Sequence, residues 1–162
     1  MMTMFHTTAY EGTRDEKYQL VKKQLTALIE DESNMIANLS NAAALLNQFL
    51  DRINWVGFYL VEGNELVLGP FQGLPACVRI PFGKGVCGTA VKERKTLRVE
   101  DVNQFPGHIA CDSASQSEIV VPIIKNNEVI GVLDIDSPEI NRFDEVDEIH
   151  LKEFVDALVK HL

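Results

Sequence analysis

The hydrophobic period of this chain changes near residue 53, and that change limits it to folds that pack helices on a sheet. Residues 14–30 place Leu20, Val21, Leu25, Leu28 and Ile29 at helical spacing, and Met35, Ile36, Leu39, Ala43, Leu46 and Leu50 form a second stripe. From Ile53 to Val61 the residues are β-branched and aromatic. Glu62-Gly63-Asn64 then reads as a tight turn, with Glu65 to Phe71 returning as a hairpin. Cys77 to Pro81 and Thr96 to Val99 are short strand candidates on either side of a helix predicted over 86–93. Residues 101–116 read as loop, with Pro106, Gly107 and several small polar side chains. Glu118–Ile124 and Val129–Asp136 are strands joined at Lys125-Asn126-Asn127. Asp144 caps a last helix whose stripe is Leu151, Phe154, Val155, Leu158 and Leu162. This order predicts an α+β fold, an antiparallel sheet flanked by helices.

A length of 162 residues suits a single domain over 1–162, with 1–12 expected as a loosely ordered N-terminal segment. The formal net charge is −9, from 24 acidic and 15 basic side chains. Phosphate backbones are repelled by such a surface, so nucleic acid is not an expected partner. No apolar run approaches the roughly 18 residues a membrane span needs, and Met1 to Gly12 lacks the features of a secretory signal. A cytoplasmic location is expected, where disulfides are mostly transient and catalytic. Three cysteines, Cys77, Cys87 and Cys111, cannot all pair with one another.

Strand alternation groups the side chains by face. In the first strand Ile53, Trp55, Gly57, Tyr59 and Val61 share a face, and Gly57 leaves a gap between the two aromatics. In the last strand Ile130, Val132, Asp134 and Asp136 share one, so two carboxylates project from the end of an apolar strand. A solvated strand end is the simpler account of that pair, and an ordinary exposed strand start is the simpler account of Glu118. If the three acids converge with Trp55 and Tyr59, they form a pocket for an ammonium group beside an apolar side chain.

The cysteines differ in setting. Cys87, within Val86-Cys87-Gly88-Thr89-Ala90-Val91, fits a buried small hydrophobe as well as a functional thiol. Cys111 lies in a polar loop, where thiols are accessible and thiolates react. Cys77 follows Pro75-Ala76 at a strand start near the surface. Cys77, Cys87, Cys111 and His108 lack the close Cys pairs of zinc sites, so no metal is expected on them. Phe82-Gly83-Lys84-Gly85 lacks P-loop spacing, although a helix starting at Gly85 would offer free N–H groups to a carboxylate.

Several spaced segments taken together resemble the GAF-domain free methionine-(R)-sulfoxide reductases over nearly the whole chain. They are Asn54-Trp55-Val56-Gly57-Phe58-Tyr59-Leu60, Leu68-Gly69-Pro70-Phe71-Gln72-Gly73 with Cys77, and Gly83-Lys84-Gly85-Val86-Cys87-Gly88. His108-Ile109-Ala110-Cys111-Asp112, Ser117-Glu118-Ile119-Val120-Val121-Pro122 and Gly131-Val132-Leu133-Asp134-Ile135-Asp136-Ser137 complete the set. The resemblance implies a GAF-type fold, a homodimer and action on the free amino acid. It implies Cys111 as nucleophile, Cys77 as main resolving thiol, and Cys87 as an assisting or alternative partner. Trp55, Tyr59, Glu118, Asp134 and Asp136 would line the substrate pocket. No bound cofactor is implied; thioredoxin, itself reduced with NADPH, would supply electrons. Two other classes fit a GAF fold: a regulatory module binding a small ligand without chemistry, and a thiol redox sensor without substrate.

Overall fold

Six strands form one antiparallel sheet, and the two ends of the chain pack helices against the same side of it. The computed structural model of the chain describes residues 10–109 and 111–162. The order of elements is α1 (Arg14–Ile29), α2 (Met35–Phe49), β1 (Trp55–Glu62), β2 (Glu65–Gly73), β3 (Arg79–Pro81), α3 (Gly85–Glu93), β4 (Leu97–Val99), β5 (Ser117–Lys125), β6 (Glu128–Ser137) and α4 (Glu145–Val159). In space the strands run β3-β2-β1-β6-β5-β4. The first hairpin and the last therefore meet at the β1–β6 pair in the centre.

Three helices, α1, α2 and α4, start where a short polar side chain takes a first-turn N–H: Thr13 for α1, Asn34 for α2, and Asp144 for α4, which completes a capping box with Asp147. The β5–β6 hairpin turns through Asn126 and Asn127, both at positive φ (52° and 66°), a two-residue turn that asparagine tolerates. Val56, Phe58, Ile119, Val121, Ile123, Leu133 and Ile135 point to the α1/α2/α4 side and form the main core with Val21, Leu25, Leu39, Leu46, Leu151 and Phe154. The opposite face of the sheet gathers Trp55, Tyr59, Leu66, Val120 and Val132 under α3.

The structure departs from the sequence reading in four places. Met35 and Ile36 are exposed, and the buried stripe of α2 begins at Asn38, whose amide donates to the backbone carbonyls of Glu32 and His161. Ile53 precedes β1 and packs with the main core instead of sharing a face with Trp55. Ile130 also packs with the main core. The β5–β6 register passes from Ile123↔Gly131 to Ile124↔Val129, so Ile130 is an extra residue and the alternation inverts there. Cys77 lies before β3, which starts at Arg79.

Of the segment 1–12, residues 1–9 lie outside the described residues. Tyr10, though, is anchored: its hydroxyl donates to Gln24 Oε1 at 2.6 Å and its ring meets Phe49 edge-on at 4.8 Å. No helix among the described residues is long and apolar enough to cross a membrane.

Candidate active site

Adjacent strands place the three acids side by side. Trp55 pairs with Asp136 across β1–β6, and Asp136 pairs with Glu118 across β5–β6. One row along, Gly57 pairs with Asp134, and Asp134 with Val120. Cross-strand neighbours lie about 4.5–5.5 Å apart at Cβ. Glu118, Asp134 and Asp136 therefore share one small area on the α3 face. All three are buried, at 7%, 5% and 9% exposure, so none stands at a solvated strand end.

The gap over Gly57 is taken by Phe71 from β2. A Cβ on Gly57 would fall 2.2 Å from the Phe71 Cβ, so only glycine admits that crossing. Phe71 stacks on Trp55 at 5.2 Å between centroids, and Trp55 on Tyr59 at 5.9 Å. Trp55 and Tyr59 also hold the segment before β3 through their polar ends. Trp55 Nε1 donates to the Leu74 carbonyl (3.2 Å) and Tyr59 Oη to the Cys77 carbonyl (2.8 Å).

Helix α3 forms the roof. Gly85 opens it at φ 62°, a left-handed conformation suited to glycine, and its N–H donates to the Gly107 carbonyl at 3.2 Å. The free donors expected at this helix start are thus those of Val86 and Cys87, both on the cavity wall. The segment that carries Asp112 and Ser115 closes the remaining side. Asn54 Nδ2 donates to Asp112 Oδ2 (3.0 Å) and Ser115 Oγ (3.1 Å), fixing that loop to the start of β1.

A disulfide joins Cys77 to Cys111, with Cα atoms 5.5 Å apart, and links the two segments at the mouth of the cavity. Cys87 is the free cysteine; it is buried, and its Sγ lies 3.9 Å from Glu118 Oε2. The cavity is about 50 Å³ and is walled by Trp55, Tyr59, Cys87, Cys111, the three acids, His108 and Asp112 among others. Among the described residues, no lysine or arginine lines it.

Burial governs the electrostatics. It pushes the Glu118 carboxyl well above the ordinary carboxylate range, and the Asp134 and Asp136 charges add to the effect. Asp136 rises in the same way, by burial and then by Asp134. Asp134 also rises through burial, against the lowering influence of hydrogen bonds from Glu118 and Cys87. Burial, then Asp134 and Glu118, push the Cys87 thiol well up, which makes it a poor thiolate at neutral pH. The site is thus a group of carboxyls whose ionisation burial disfavours, beneath the Cys77–Cys111 disulfide.

All the sequence-derived candidates lie in or beside this cavity: Trp55, Tyr59, Glu118, Asp134 and Asp136 on its floor, Cys87 in its roof, and Cys111 with Cys77 at its mouth. The sequence marks Asn54 and Asp112 only as members of the segments that carry the resemblance, and it gives Ser115 and His108 no role in this pocket. A polar side chain that holds a loop has no periodic pattern to announce it.

The sheet order, the single roofing helix and the walled cavity define a GAF domain, and a family model described as GAF domain matches residues 37–159. The free methionine-R-sulfoxide reductase of Escherichia coli is 52% identical over 149 residues, covering 92% of this chain and 90% of its own. Two structures of fRMsr of Staphylococcus aureus, reduced and in complex with substrate, are 62% identical, cover 96% of this chain and 99% of theirs, and superpose with TM-scores of 0.89 and 0.87. The free methionine-R-sulfoxide reductase of Neisseria meningitidis in complex with its substrate is 46% identical, with a TM-score of 0.91 over 99% of this chain and 95% of its own. The chain belongs to the GAF-domain free methionine-R-sulfoxide reductases.

Proposed function

We propose that this chain reduces free methionine-(R)-sulfoxide to methionine, with Cys111 as nucleophile and Cys77 as resolving thiol. The observation that supports this best is the Cys77–Cys111 disulfide at the mouth of a cavity floored by three buried carboxyl groups. The Cys111 thiolate attacks the sulfoxide sulfur while Glu118 or Asp136 delivers a proton to the departing oxygen. Methionine leaves and Cys111 becomes a sulfenic acid. The Cys77 thiol then condenses with it, releasing water and forming the disulfide. Two thiols of a reductant such as thioredoxin restore the pair by exchange and become a disulfide themselves. Cys87, with its raised thiol and enclosed position, is a supporting group and an alternative partner.

The remaining carboxylates hold the substrate's α-ammonium, the Val86 and Cys87 amides meet its carboxylate, and Trp55 packs on the terminal methyl. A methionine sulfoxide within a peptide lacks both end charges, so the buried acids would be left unpaired against it. The chemistry needs no bound cofactor. It suits a reducing cytoplasm, with the homodimer that the resemblance implies. A cavity wall without a described lysine or arginine is a poor place for a phosphate ligand, which counts against a nucleotide-sensing role.

The test is NADPH oxidation coupled through thioredoxin and its reductase, with free methionine-(R)-sulfoxide as substrate and Cys111→Ser in parallel. Turnover by the native chain that is lost in the variant is expected. No turnover by folded, reduced protein would refute the proposal and favour a ligand-binding module.

A further inference from the structure

We propose that Cys87, Glu118 and Asp134 form a site within the cavity for a thiophilic divalent cation, zinc foremost. One ligand atom from each of these three buried side chains lies within 4.8 Å of the other two. Zinc bonds of about 2.3 Å to sulfur and 2.0–2.2 Å to oxygen give a tetrahedral S···O edge of roughly 3.6 Å. The Cys87 Sγ to Glu118 Oε2 separation is already 3.9 Å, close to that edge.

An independent observation points the same way. Asp134 is 5% exposed, yet its Oδ1 accepts no hydrogen bond. A buried carboxylate oxygen without a donor is costly, and a cation satisfies it directly. No described lysine or arginine on the wall competes for these acids, and the His108 imidazole borders the same cavity as an available fourth ligand. Mixed sulfur and oxygen donors favour zinc or cobalt(II) over magnesium or calcium, which take oxygen alone. Binding exchanges the Cys87 thiol proton, and any proton held by Glu118 or Asp134, for the metal, and no electrons move. The ligands come from α3, β5 and β6, so cysteine spacing carries no trace of this site.

The site does not depend on the reductase reading. If that reading holds, the ion occupies the place of the substrate's polar end, and zinc is a competitive inhibitor.

The oxidised chain offers a direct test, because the Cys77–Cys111 bond leaves Cys87 as its one thiol. Cobalt(II) titrated into oxidised protein should produce a near-ultraviolet thiolate-to-metal band that saturates at one equivalent per chain and is displaced by zinc. Cys87→Ser should abolish the band, and Asp134→Asn should weaken binding by about tenfold or more. A missing band in the oxidised native chain, whatever the variants do, overturns the proposal. So does a band that survives in Cys87→Ser, an unchanged affinity in folded Asp134→Asn, or displacement by magnesium as effective as by zinc.

Discussion

Glu118 and Asp136 are paired directly across the β5–β6 ladder, with Asp134 one row further along the same face. Like charges opposite each other in an antiparallel pair repel, and here all three acids are also buried. Holding a proton relieves the repulsion, which is why burial beside the other acids moves these carboxyls above the ordinary range.

The sign of the resulting pH dependence is fixed. The ordinary values are 4.5 for Glu118 and 3.8 for Asp136, and both groups are raised well above these in the fold. Below the ordinary values both states hold the protons and nothing is lost. As pH rises toward the raised values the unfolded chain ionises first, and stability falls. Glu118→Gln should therefore unfold at a higher temperature than the native chain at pH 8, by about 2–4 °C per kcal/mol relieved, with the gap closing toward pH 4. Calorimetry across that range checks it, and a gap that widens in acid contradicts it.

The same variant separates acid catalysis from binding. Glu118→Gln keeps a hydrogen-bonding group of the same shape but removes the transferable proton. If Glu118 is the acid, the first-turnover rate should fall by about 10²–10⁴ and lose its pH dependence. A rate within a factor of two of native assigns the proton to Asp136.

The two thiols should fail differently. Cys111→Ser should lower turnover by at least about 10³. Cys77→Ser should still release one methionine per chain in a single turnover and then stop, because the sulfenic acid has lost its partner. Rapid-quench analysis of methionine distinguishes the two. A full steady-state rate in Cys77→Ser would make Cys87 the resolving group.

Tyr59 links the pocket floor to the resolving thiol through its bond to the Cys77 carbonyl. Tyr59→Phe removes one neutral hydrogen bond, worth about 0.5–1.5 kcal/mol. Disulfide formation should slow by about two- to tenfold, while the methionine-forming step changes less. Thiol titration after mixing follows the first step and chromatography of methionine the second.

The helical layer is a separate matter. Asp147, 2% exposed, accepts from Tyr18 Oη (2.6 Å), Arg14 Nη2 (2.7 Å) and Arg142 Nη1 (3.3 Å). Asp147→Ala removes the acceptor shared by Tyr18, Arg14 and Arg142, leaves Arg142 with Asp51 alone, and should cost about 1.5–3 kcal/mol, read from the denaturant midpoint. Residual folded protein should keep its first-turnover rate, because these contacts lie on the opposite face from the acids.

Much of the fold is legible in the sequence. The helices are written in period 3.6, and the hairpins in alternation closed by Gly63 or by Asn126-Asn127. Periodicity misleads where a local irregularity breaks it. Ile130 is an extra residue in β6 and faces opposite to the side that alternation assigns, and Ile53 lies just outside β1. The hollow at Gly57 is legible as a missing side chain, but not as the seat of Phe71, because the ring comes from another strand.

By itself, then, the sequence determined which residues alternate along each strand, where turns and caps fall, and that its motifs resemble one reductase family. These are properties of neighbours along the chain, or of patterns that need no coordinates. The tertiary structure alone decided that Glu118, Asp134 and Asp136 share a buried floor, that Cys77 reaches Cys111 across 34 residues, and that Cys87 sits beside Glu118. Strand order and the placement of α3 set those distances. Burial depends on what lies across the sheet, and no periodicity within one segment records it.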